Sequence, residues 1–258
     1  MDSQQRLTNK TIVILGGTVG VARALINVCL ENGANIVFGD NNLNLGLSIE
    51  KDLLRIYPSR IVFKHTDVLN ITDCQQLFDV AINEFHKIDG FVNYAGVTPK
   101  SGLTDCDELT YDRIFDINLK AAFFCTQFAI NSMLKNNGGA IILFGSSHAW
   151  VGQKDRAAYA ISKGALFTLC EHISHNYAQN KIRCNYLTMG WTPTEGELSL
   201  RSEQGMNKEQ LMDFASSILP MGRMLKYEDY VPALLYLLSD DSSMVTGSNF
   251  RITGGEYI

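Results

Sequence analysis

Short runs of β-branched and apolar residues alternate along the chain with longer stretches whose apolar positions recur at helical spacing. The short runs predict strands at 11–15, 35–38, 61–63, 91–92, 140–144, 182–187 and around 248–252. The longer stretches predict helices over 21–32, 44–56, 73–85, 107–136, 157–179 and 227–238. Alternation this regular indicates successive strand–helix–strand units.

The predicted strands lack strict alternation of apolar and polar residues, which is typical of a parallel sheet covered by helices on both faces. We therefore expect an α/β fold, a doubly wound parallel sheet of about seven strands. The chain shows no linker, repeat or low-complexity tract, so a single domain is expected to fill residues 1–258. Only the segment 188–220 departs from the alternation of predicted strands and helices.

Composition narrows the class of protein. The 258 residues are 46% hydrophobic and 19% charged, which is ordinary for a globular enzyme. A formal net charge of −5 argues against nucleic acid as the main partner. The six cysteines form no Cys-x-x-Cys pair, so we expect no metal site and buried thiols in a reducing compartment. Residues 1–10 are polar and no apolar run is long enough to cross a membrane, so we expect a cytoplasmic protein.

A glycine-rich turn, Gly16 to Gly20, joins the first predicted strand to the first predicted helix. Gly16 permits a tight turn, and Gly20 lets the backbone approach a pyrophosphate. The N–H groups at the start of the helix would then face that anion. Glycines also mark many turns that bind nothing, so the position between strand and helix carries the interpretation.

Asp40 follows the second predicted strand, where a carboxylate can accept hydrogen bonds from both ribose hydroxyls of an adenosine. The same carboxylate would repel a 2′-phosphate. No Arg or Lys occurs at 16–20, 41 or 42 to hold such a phosphate. This pattern favours NAD over NADP, and an Asp that only starts a turn before Asn41 is the alternative.

Tyr159 and Lys163 are four residues apart in a predicted helix and so share one face. A tyrosine is a poor base at neutral pH, but a nearby ammonium group favours the phenolate and lowers the phenol pKa. Ser146 lies just after the fifth predicted strand, and Asn118 lies inside the long helix over 107–136. A strand-end cap for the serine and a solvated helical asparagine are the simpler alternatives.

Taken together, these motifs resemble the classical short-chain dehydrogenases/reductases over essentially the whole chain. The matching motifs are Gly16-x3-Gly20-x-Ala22, Asp67-Val68, Asn93-Tyr94-Ala95-Gly96, the set Asn118, Ser146, Tyr159 and Lys163, Ile182-Arg183-Cys184-Asn185, Met189-Gly190, Val245-Thr246-Gly247 and Thr253-Gly254-Gly255. The combination, in this order and with this serine-to-tyrosine spacing, is highly specific.

The resemblance implies a Rossmann-type fold and NAD-dependent hydride transfer, with Tyr159 as general acid/base. Ser146 would orient the substrate oxygen, Lys163 would lower the Tyr159 pKa and bind the nicotinamide ribose, and Asn118 would hold a water of the proton relay. The cofactor-binding residues implied are Gly16, Thr18, Val19, Gly20, Val21, Asp40, Asp67, Val68, Asn93, Ala95, Gly96, Tyr159, Lys163, Gly190, Thr192 and Thr194.

Four positions depart from the family pattern. Leu15 stands where the family has a threonine that ties the glycine turn to the fourth strand, and Tyr94 replaces the second asparagine of that strand's motif. Ala22 replaces the third glycine, and Met189 replaces a proline beside the nicotinamide. These changes bear on cofactor affinity and loop rigidity, and they leave the reaction class unchanged.

In the family, the segment corresponding to 188–220 covers the substrate, and here it is polar at its start. Ser146, His148, Gln153, Tyr159, Trp191 and Glu195 are the expected substrate contacts. They favour a sugar, polyol or hydroxy acid, although charges facing water explain the pattern equally well. A reductase of a 3-oxoacyl or steroid substrate, an epimerase or dehydratase, and an idle dinucleotide-binding sensor or scaffold remain the alternatives.

The helices predicted at 107–136 and 157–179 carry apolar residues on more than one side. A helix packed only on a sheet needs one apolar face, so the extra faces call for another partner unless both helices are deeply buried. The resemblance implies two-fold contacts through these helices, and we expect a homotetramer or homodimer. Phe124 and Phe167 are the residues expected at this contact.

Overall fold

The computed structural model describes residues 5–256, so residues 1–4 and 257–258 of the predicted domain 1–258 lie outside the described part. One sheet forms the centre, with strand order β3-β2-β1-β4-β5-β6-β7 and parallel pairing throughout. The strands are β1 (Thr11–Leu15), β2 (Asn35–Asp40), β3 (Ile61–His65), β4 (Gly90–Asn93), β5 (Gly139–Ser146), β6 (Ile182–Met189) and β7 (Asn249–Ile252). The predicted α/β fold with about seven parallel strands is confirmed.

The described helices follow the predicted ones closely, with one break and two additions. They are α1 (Gly20–Glu31), α2 (Leu43–Leu54), α3 (Ile71–Phe85), α4 (Glu108–Phe115), α5 (Ala121–Met133), α6 (Ala157–Asn176), α7 (Glu195–Glu203), α8 (Lys208–Ile218) and α9 (Val231–Leu238). The long helix predicted over 107–136 is divided by a π-helical turn at Asp116–Lys120. The segment 188–220 contains α7 and α8, which the sequence pattern did not predict.

Both faces of the sheet are covered, as expected for a doubly wound fold. In β1, Ile12 and Ile14 point into one hydrophobic core with α1, α2 and α9, while Val13 and Leu15 point into a second core with α3, α5 and α6. All five residues of β1 are buried, which explains why the strands read as continuous apolar runs. Within residues 5–256, no helix is both long and apolar enough to cross a membrane.

The strand order reverses between β1 and β4. Strands β2 and β3 lie on one side of β1, and β4 to β7 continue on the other. In a parallel sheet every strand ends at the same edge, and a reversal of strand order opens a crevice there. We call this side of the sheet the carboxyl edge.

Tyr186 links β6, to which it belongs, with β5 and α6 behind that edge. Its fully buried hydroxyl accepts a hydrogen bond from the Ser146 N–H of β5 at 3.3 Å and donates one to the Lys163 carbonyl of α6 at 2.9 Å. Gly145 makes room for the ring, since a Cβ at that position would overlap it. The end of β5 and the middle of α6 are therefore held at a fixed distance.

We expect Tyr186→Phe to lower the free energy of unfolding by about 1–3 kcal/mol, because it leaves a buried N–H and a carbonyl without this partner. Chemical denaturation followed by circular dichroism measures the change. Tyr111→Phe on exposed α4 is the matched control and should shift stability by less than about 0.5 kcal/mol. Equal stability of wild type and Tyr186→Phe would contradict this account of the hydroxyl.

Candidate active site

A cavity of about 1250 Å³ opens at the carboxyl edge, between β1, β4, β5, β6 and the segment that carries α7 and α8. It brings together many of the residues singled out in the sequence. Those lining it are Val19, Gly96, Ser146, His148, Gln153, Tyr159, Lys163, Gly190, Trp191, Thr192, Thr194 and Glu195. The remaining predicted residues lie around or behind the cavity.

Asn118 lies in the π-helical turn and is fully buried. Its Oδ1 accepts from the Val97 N–H at 2.8 Å, while its Nδ2 donates to the Val97 carbonyl at 3.0 Å and to the Ser162 hydroxyl at 3.1 Å. The amide thus joins the loop after β4 to α6. The alternative of a solvated helical asparagine is wrong, because the wider turn directs the side chain inward.

Lys163 is buried beneath the cavity and donates a hydrogen bond to the Phe144 carbonyl at 2.9 Å. Burial lowers the pKa of this ammonium group to about 8. Gly96 allows the close approach, because a Cβ there would lie 3.3 Å from both Lys163 Nζ and Asn118 Oδ1. The three residues converge on one small region beside β4.

Tyr159 lies near Lys163, whose Nζ is 5.9 Å from the centre of the phenol ring. Burial raises the pKa of Tyr159 overall, whereas the Ser146 hydroxyl and the charge of Arg156 partly lower it. The burial of the phenol outweighs these two contributions.

Ser146 and His148 line the cavity together with Tyr159. The Ser146 hydroxyl accepts from the His148 N–H at 3.2 Å, so the predicted alternative of a strand-end cap also holds. The His148 ring meets the Tyr159 ring edge to face at 5.9 Å. Burial lowers the His148 pKa, with a further contribution from Arg156, so this histidine is not a solvated loop residue.

The glycine turn is built around positive φ angles and an unusual neighbour. Gly16 and Gly20 have φ of +85° and +63°, and a Cβ on Gly20 would overlap the Tyr94 hydroxyl. That hydroxyl accepts a hydrogen bond from the Val21 N–H at 3.4 Å, and α1 has no side-chain cap of its own. Tyr94 therefore restores the tie between turn and fourth strand that Leu15 cannot make.

Asp40 ends β2 and points back to the glycine turn. Its carboxylate accepts from the Thr18 N–H at 3.2 Å and from the Asn42 N–H at 3.0 Å. It therefore both starts a turn, as the alternative interpretation had it, and flanks the expected cofactor region. Further along the same edge, Asp67 accepts from the Leu69 N–H at 3.0 Å.

The remaining features of this region fit a bound dinucleotide. Asn93 is buried, and its Nδ2 makes no hydrogen bond within the described residues. Ala95 contacts the tight turn, since a Cβ on Gly16 would lie 2.9 Å from its nitrogen. Val68 is partly buried after β3, beside Asp67. The unpaired Asn93 amide can donate to a dinucleotide, and the acidic end of β2 can accept from its ribose hydroxyls.

The segment 188–220 borders the cavity, and Leu211 and Ala215 of this segment form a small apolar cluster with Met224, which follows it. The Trp191 indole N–H donates to Glu197 at 2.7 Å, and Arg201 donates to the same carboxylate at 2.7 Å. The Thr194 hydroxyl caps α7 by accepting from the Glu197 N–H at 3.2 Å.

The start of this segment is tied to two other parts of the chain. Thr192 and Tyr230 share a hydrogen bond at 2.6 Å, and the Trp191 N–H donates to Glu256 at 2.7 Å. Glu195 is exposed. Predicted contacts Thr192, Thr194 and Trp191 thus make structural bonds as well as lining the cavity.

Four residues of the site escaped the sequence analysis. Tyr186 and Glu256 each accept a hydrogen bond from a backbone N–H, of Ser146 and Trp191 respectively. Glu197 accepts a hydrogen bond from the Trp191 indole, and Arg156 lies buried in the cavity wall. Only Arg156 left a signal, as a cation three residues before Tyr159. Among residues 5–256, no group of three His, Cys, Asp or Glu side chains is placed to hold a metal ion.

The comparisons with known proteins agree with this geometry. A family model described as enoyl-(acyl carrier protein) reductase matches residues 16–256. An uncharacterized oxidoreductase of Bacillus subtilis (strain 168) is 32% identical over 97% of this chain and 92% of its own length. A 2-(S)-hydroxypropyl-CoM dehydrogenase of Xanthobacter autotrophicus is 29% identical over 97% of both chains.

A sugar enzyme and a solved structure are similar over the same span. L-rhamnose 1-dehydrogenase (NAD(P)(+)) of Azotobacter vinelandii is 28% identical over 98% of both chains. The crystal structure of a short-chain dehydrogenase/reductase titled glucose/ribitol dehydrogenase, from Brucella melitensis, shares the fold with a TM-score of 0.88, 24% identity and 98% coverage of both chains. The chain therefore belongs to the short-chain dehydrogenase/reductase family, a family of oxidoreductases that use nicotinamide dinucleotides.

Proposed function

We propose that this protein is an NAD-dependent dehydrogenase that interconverts a secondary alcohol and a ketone on a small polar molecule. The observation that carries the proposal is the placement of Ser146, Tyr159 and Lys163 on one wall of the cavity, next to the glycine turn. A hydroxyl, a phenol and a buried amine at this position can orient a substrate oxygen and move its proton. An idle sensor would not need this arrangement.

In the proposed reaction, bound NAD supplies the acceptor for the hydride that leaves the carbinol carbon. Ser146 donates a hydrogen bond to the substrate oxygen and fixes its position. Tyr159, in its phenolate form, accepts the hydroxyl proton as the carbonyl forms, and the resulting phenol then passes that proton to solvent. For ketone reduction Tyr159 donates the proton instead, which suits a phenol whose pKa burial has raised.

Lys163 and Asn118 support this proton transfer from behind. Lys163 would bind the nicotinamide ribose, and its pKa of about 8 lets the amine exchange protons near neutral pH. Asn118 Oδ1 and Lys163 Nζ both approach Gly96, which supports a water held between them. Because its amide bonds Val97 and Ser162, Asn118 also positions the loop that borders the cavity.

The preference for NAD over NADP rests on Asp40. Its carboxylate already accepts the Thr18 N–H, so the acidic group is held at the glycine turn and would face a 2′-phosphate. The sequence 16–20 and residues 41 and 42 supply no cation to offset it. A relative named for both NAD and NADP shows that the family tolerates either choice.

The small polar substrate is supported by the charged groups around the opening. Glu195, Glu197, Arg201, Gln153 and His148 all line the cavity, which disfavours a steroid or a long acyl chain. The similarity to a rhamnose dehydrogenase supports the same class of substrate. We also propose a cytoplasmic location, since the six cysteines are free thiols and five are buried.

A second copy of this chain is the proposed partner, in a homodimer or homotetramer. Leu109, Phe123 and Ile161 of α4, α5 and α6 are 83%, 50% and 55% exposed, which is a large apolar area for a free surface. Phe167, by contrast, packs inside the protomer against Trp150 and Tyr186. Phe124 is half-buried beside Phe123, so Phe123 and Ile161 replace Phe124 and Phe167 as the contact residues.

We expect Tyr159→Phe to reduce kcat by at least roughly 100-fold, because the ring remains while the proton-transferring hydroxyl is lost. Absorbance of NADH in assays of a polyol, sugar and hydroxy-acid panel measures turnover, and calorimetry should show unchanged NAD binding. Tyr111→Phe is the control and should keep full activity. Near-normal turnover in Tyr159→Phe would refute the mechanism.

For the cofactor, the expected result is a higher kcat/KM with NAD than with NADP in the wild type. Asp40→Asn should narrow the ratio, because it removes the charge but keeps an acceptor for the glycine turn. Asp52→Asn on the exposed face of α2 should leave the ratio unchanged. A wild-type preference for NADP would overturn the assignment.

Assembly is checked by multi-angle light scattering at micromolar concentration. Phe123→Glu and Ile161→Glu should shift the wild-type oligomer toward monomer, because each places a charge in an apolar contact. Ile56→Glu, at an exposed position beyond α2, should not change the mass. A monomeric wild type would exclude the proposed contact.

A further inference from the structure

Arg156 is a buried cation in the wall of the active-site cavity. It precedes α6, three residues before Tyr159, and only 5% of its surface is exposed. Burying a guanidinium group costs free energy unless charged and hydrogen-bonding partners compensate it. The partners of Arg156 therefore indicate what the position is for.

Those partners are few. Arg156 Nη1 donates to the Asp155 carbonyl at 3.2 Å and lies 3.5 Å from the Asp155 carboxylate, whose side chain is 48% exposed. Within the described residues, Nε and Nη2 donate to no other group. A guanidinium carries five N–H donors, so most of its hydrogen-bonding capacity is left for the cavity.

The acidic groups of the cavity do not compensate this charge. Glu197 is held by Arg201 and by the Trp191 indole, and Glu256 accepts the Trp191 N–H. Glu195 is exposed at the start of α7, and no ion pair joins it to Arg156 among the described residues. Glu197 faces Tyr159 and His148, as Arg156 does, but no hydrogen bond or ion pair joins Glu197 to Arg156 among the described residues.

A second cation lines the same cavity. Arg113 of α4 also lines the cavity, and it forms no ion pair within residues 5–256. The charge of Arg156 reaches the reacting group, since it partly offsets the rise that burial causes in the Tyr159 pKa and adds to the lowering of the His148 pKa. An anion bound by Arg156 would consequently lie close to the oxygen that exchanges its proton with Tyr159.

We propose that the substrate carries an anionic group, a carboxylate, phosphate or sulfonate, close to its reacting hydroxyl, and that Arg156 binds this group with Arg113 nearer the opening. This inference rests on the proposed dehydrogenase function and narrows its substrate class. The flat fork of a guanidinium can donate two parallel hydrogen bonds to any of these three oxyanions. Arg156 then determines specificity, and the proton chemistry stays with Tyr159.

The test compares anionic alcohols with neutral alcohols of similar size, using the intact protein and NAD. The anionic probes are 3-hydroxybutyrate, 2-hydroxypropyl phosphate and 2-hydroxypropane-1-sulfonate, which separate the three oxyanions. The neutral probes are 3-hydroxybutanamide and 1-methoxypropan-2-ol. We expect the wild type to oxidise at least one anionic probe with a kcat/KM roughly tenfold or more above its neutral counterpart.

Arg156→Gln should lower kcat/KM for the preferred anion by roughly 10- to 100-fold, with the neutral probes changed by no more than about twofold. Arg156→Lys should recover part of the loss, since it keeps the charge without the fork. Arg113→Gln, at an exposed position, should give a smaller loss in the same direction and covers the case in which Arg156→Gln does not fold. Arg55→Gln, at an exposed position directly after α2, is the matched control and should have no effect.

Calorimetric titration of the NAD-loaded protein with acetate, methyl phosphate and methanesulfonate reads binding without turnover. Weaker binding of one of these anions to Arg156→Gln and Arg113→Gln supports the anion site, whatever the turnover assays show. If every alcohol in the panel is inert, the dehydrogenase function is excluded, and the anion site is judged from binding alone. Equal turnover of anionic and neutral alcohols, or equal losses on both in the arginine variants, would overturn the anion site and leave the dehydrogenase function standing.

Discussion

The parallel pairing of the strands is the constraint on which the rest of this structure depends. Because every strand runs in the same direction, the groups that follow β1, β2, β4, β5 and β6 must all meet at the carboxyl edge. The reversal of strand order between β1 and β4 then opens the crevice that the glycine turn and Tyr159 share. Residues separated by more than 100 positions in the chain become neighbours through this strand arrangement alone.

Much of this arrangement could be predicted from the sequence, because the local hydrophobic pattern and the turn motifs favour the same elements that the folded protein contains. The apolar runs located every strand, and the motifs located the glycine turn, Asp40, Ser146, Tyr159 and Lys163. Helix α7 was not predicted because it has few apolar side chains and buries none of its residues. Helix α8 carries Leu211, Met212 and Ala215 at helical spacing, a signal that the sequence analysis missed. The π-helical turn was missed as well, because apolar residues on more than one side of this helix hide the change of phase that one additional residue introduces.

The electrostatic balance of the site could not be predicted at all from spacing. The four-residue interval between Tyr159 and Lys163 suggests a simple pair in which the amine activates the phenol. In the folded protein both groups are desolvated, so burial raises the pKa of one and lowers the pKa of the other. Likewise, Leu15 and Tyr94 looked like independent departures, yet the Tyr94 hydroxyl supplies the link that Leu15 lacks.

The π-helical turn at Asp116–Lys120 also limits how the chain can change its length. An α-helix advances about 100° per residue, so deleting the one extra residue would rotate everything that follows by about that angle. Cys125 and Ala129 of α5 would swing out of the core, and Asn118 would lose its register with Val97 and Ser162. Substitutions on the exposed side of this helix keep its phase, whereas insertions and deletions here would break the site and the core together.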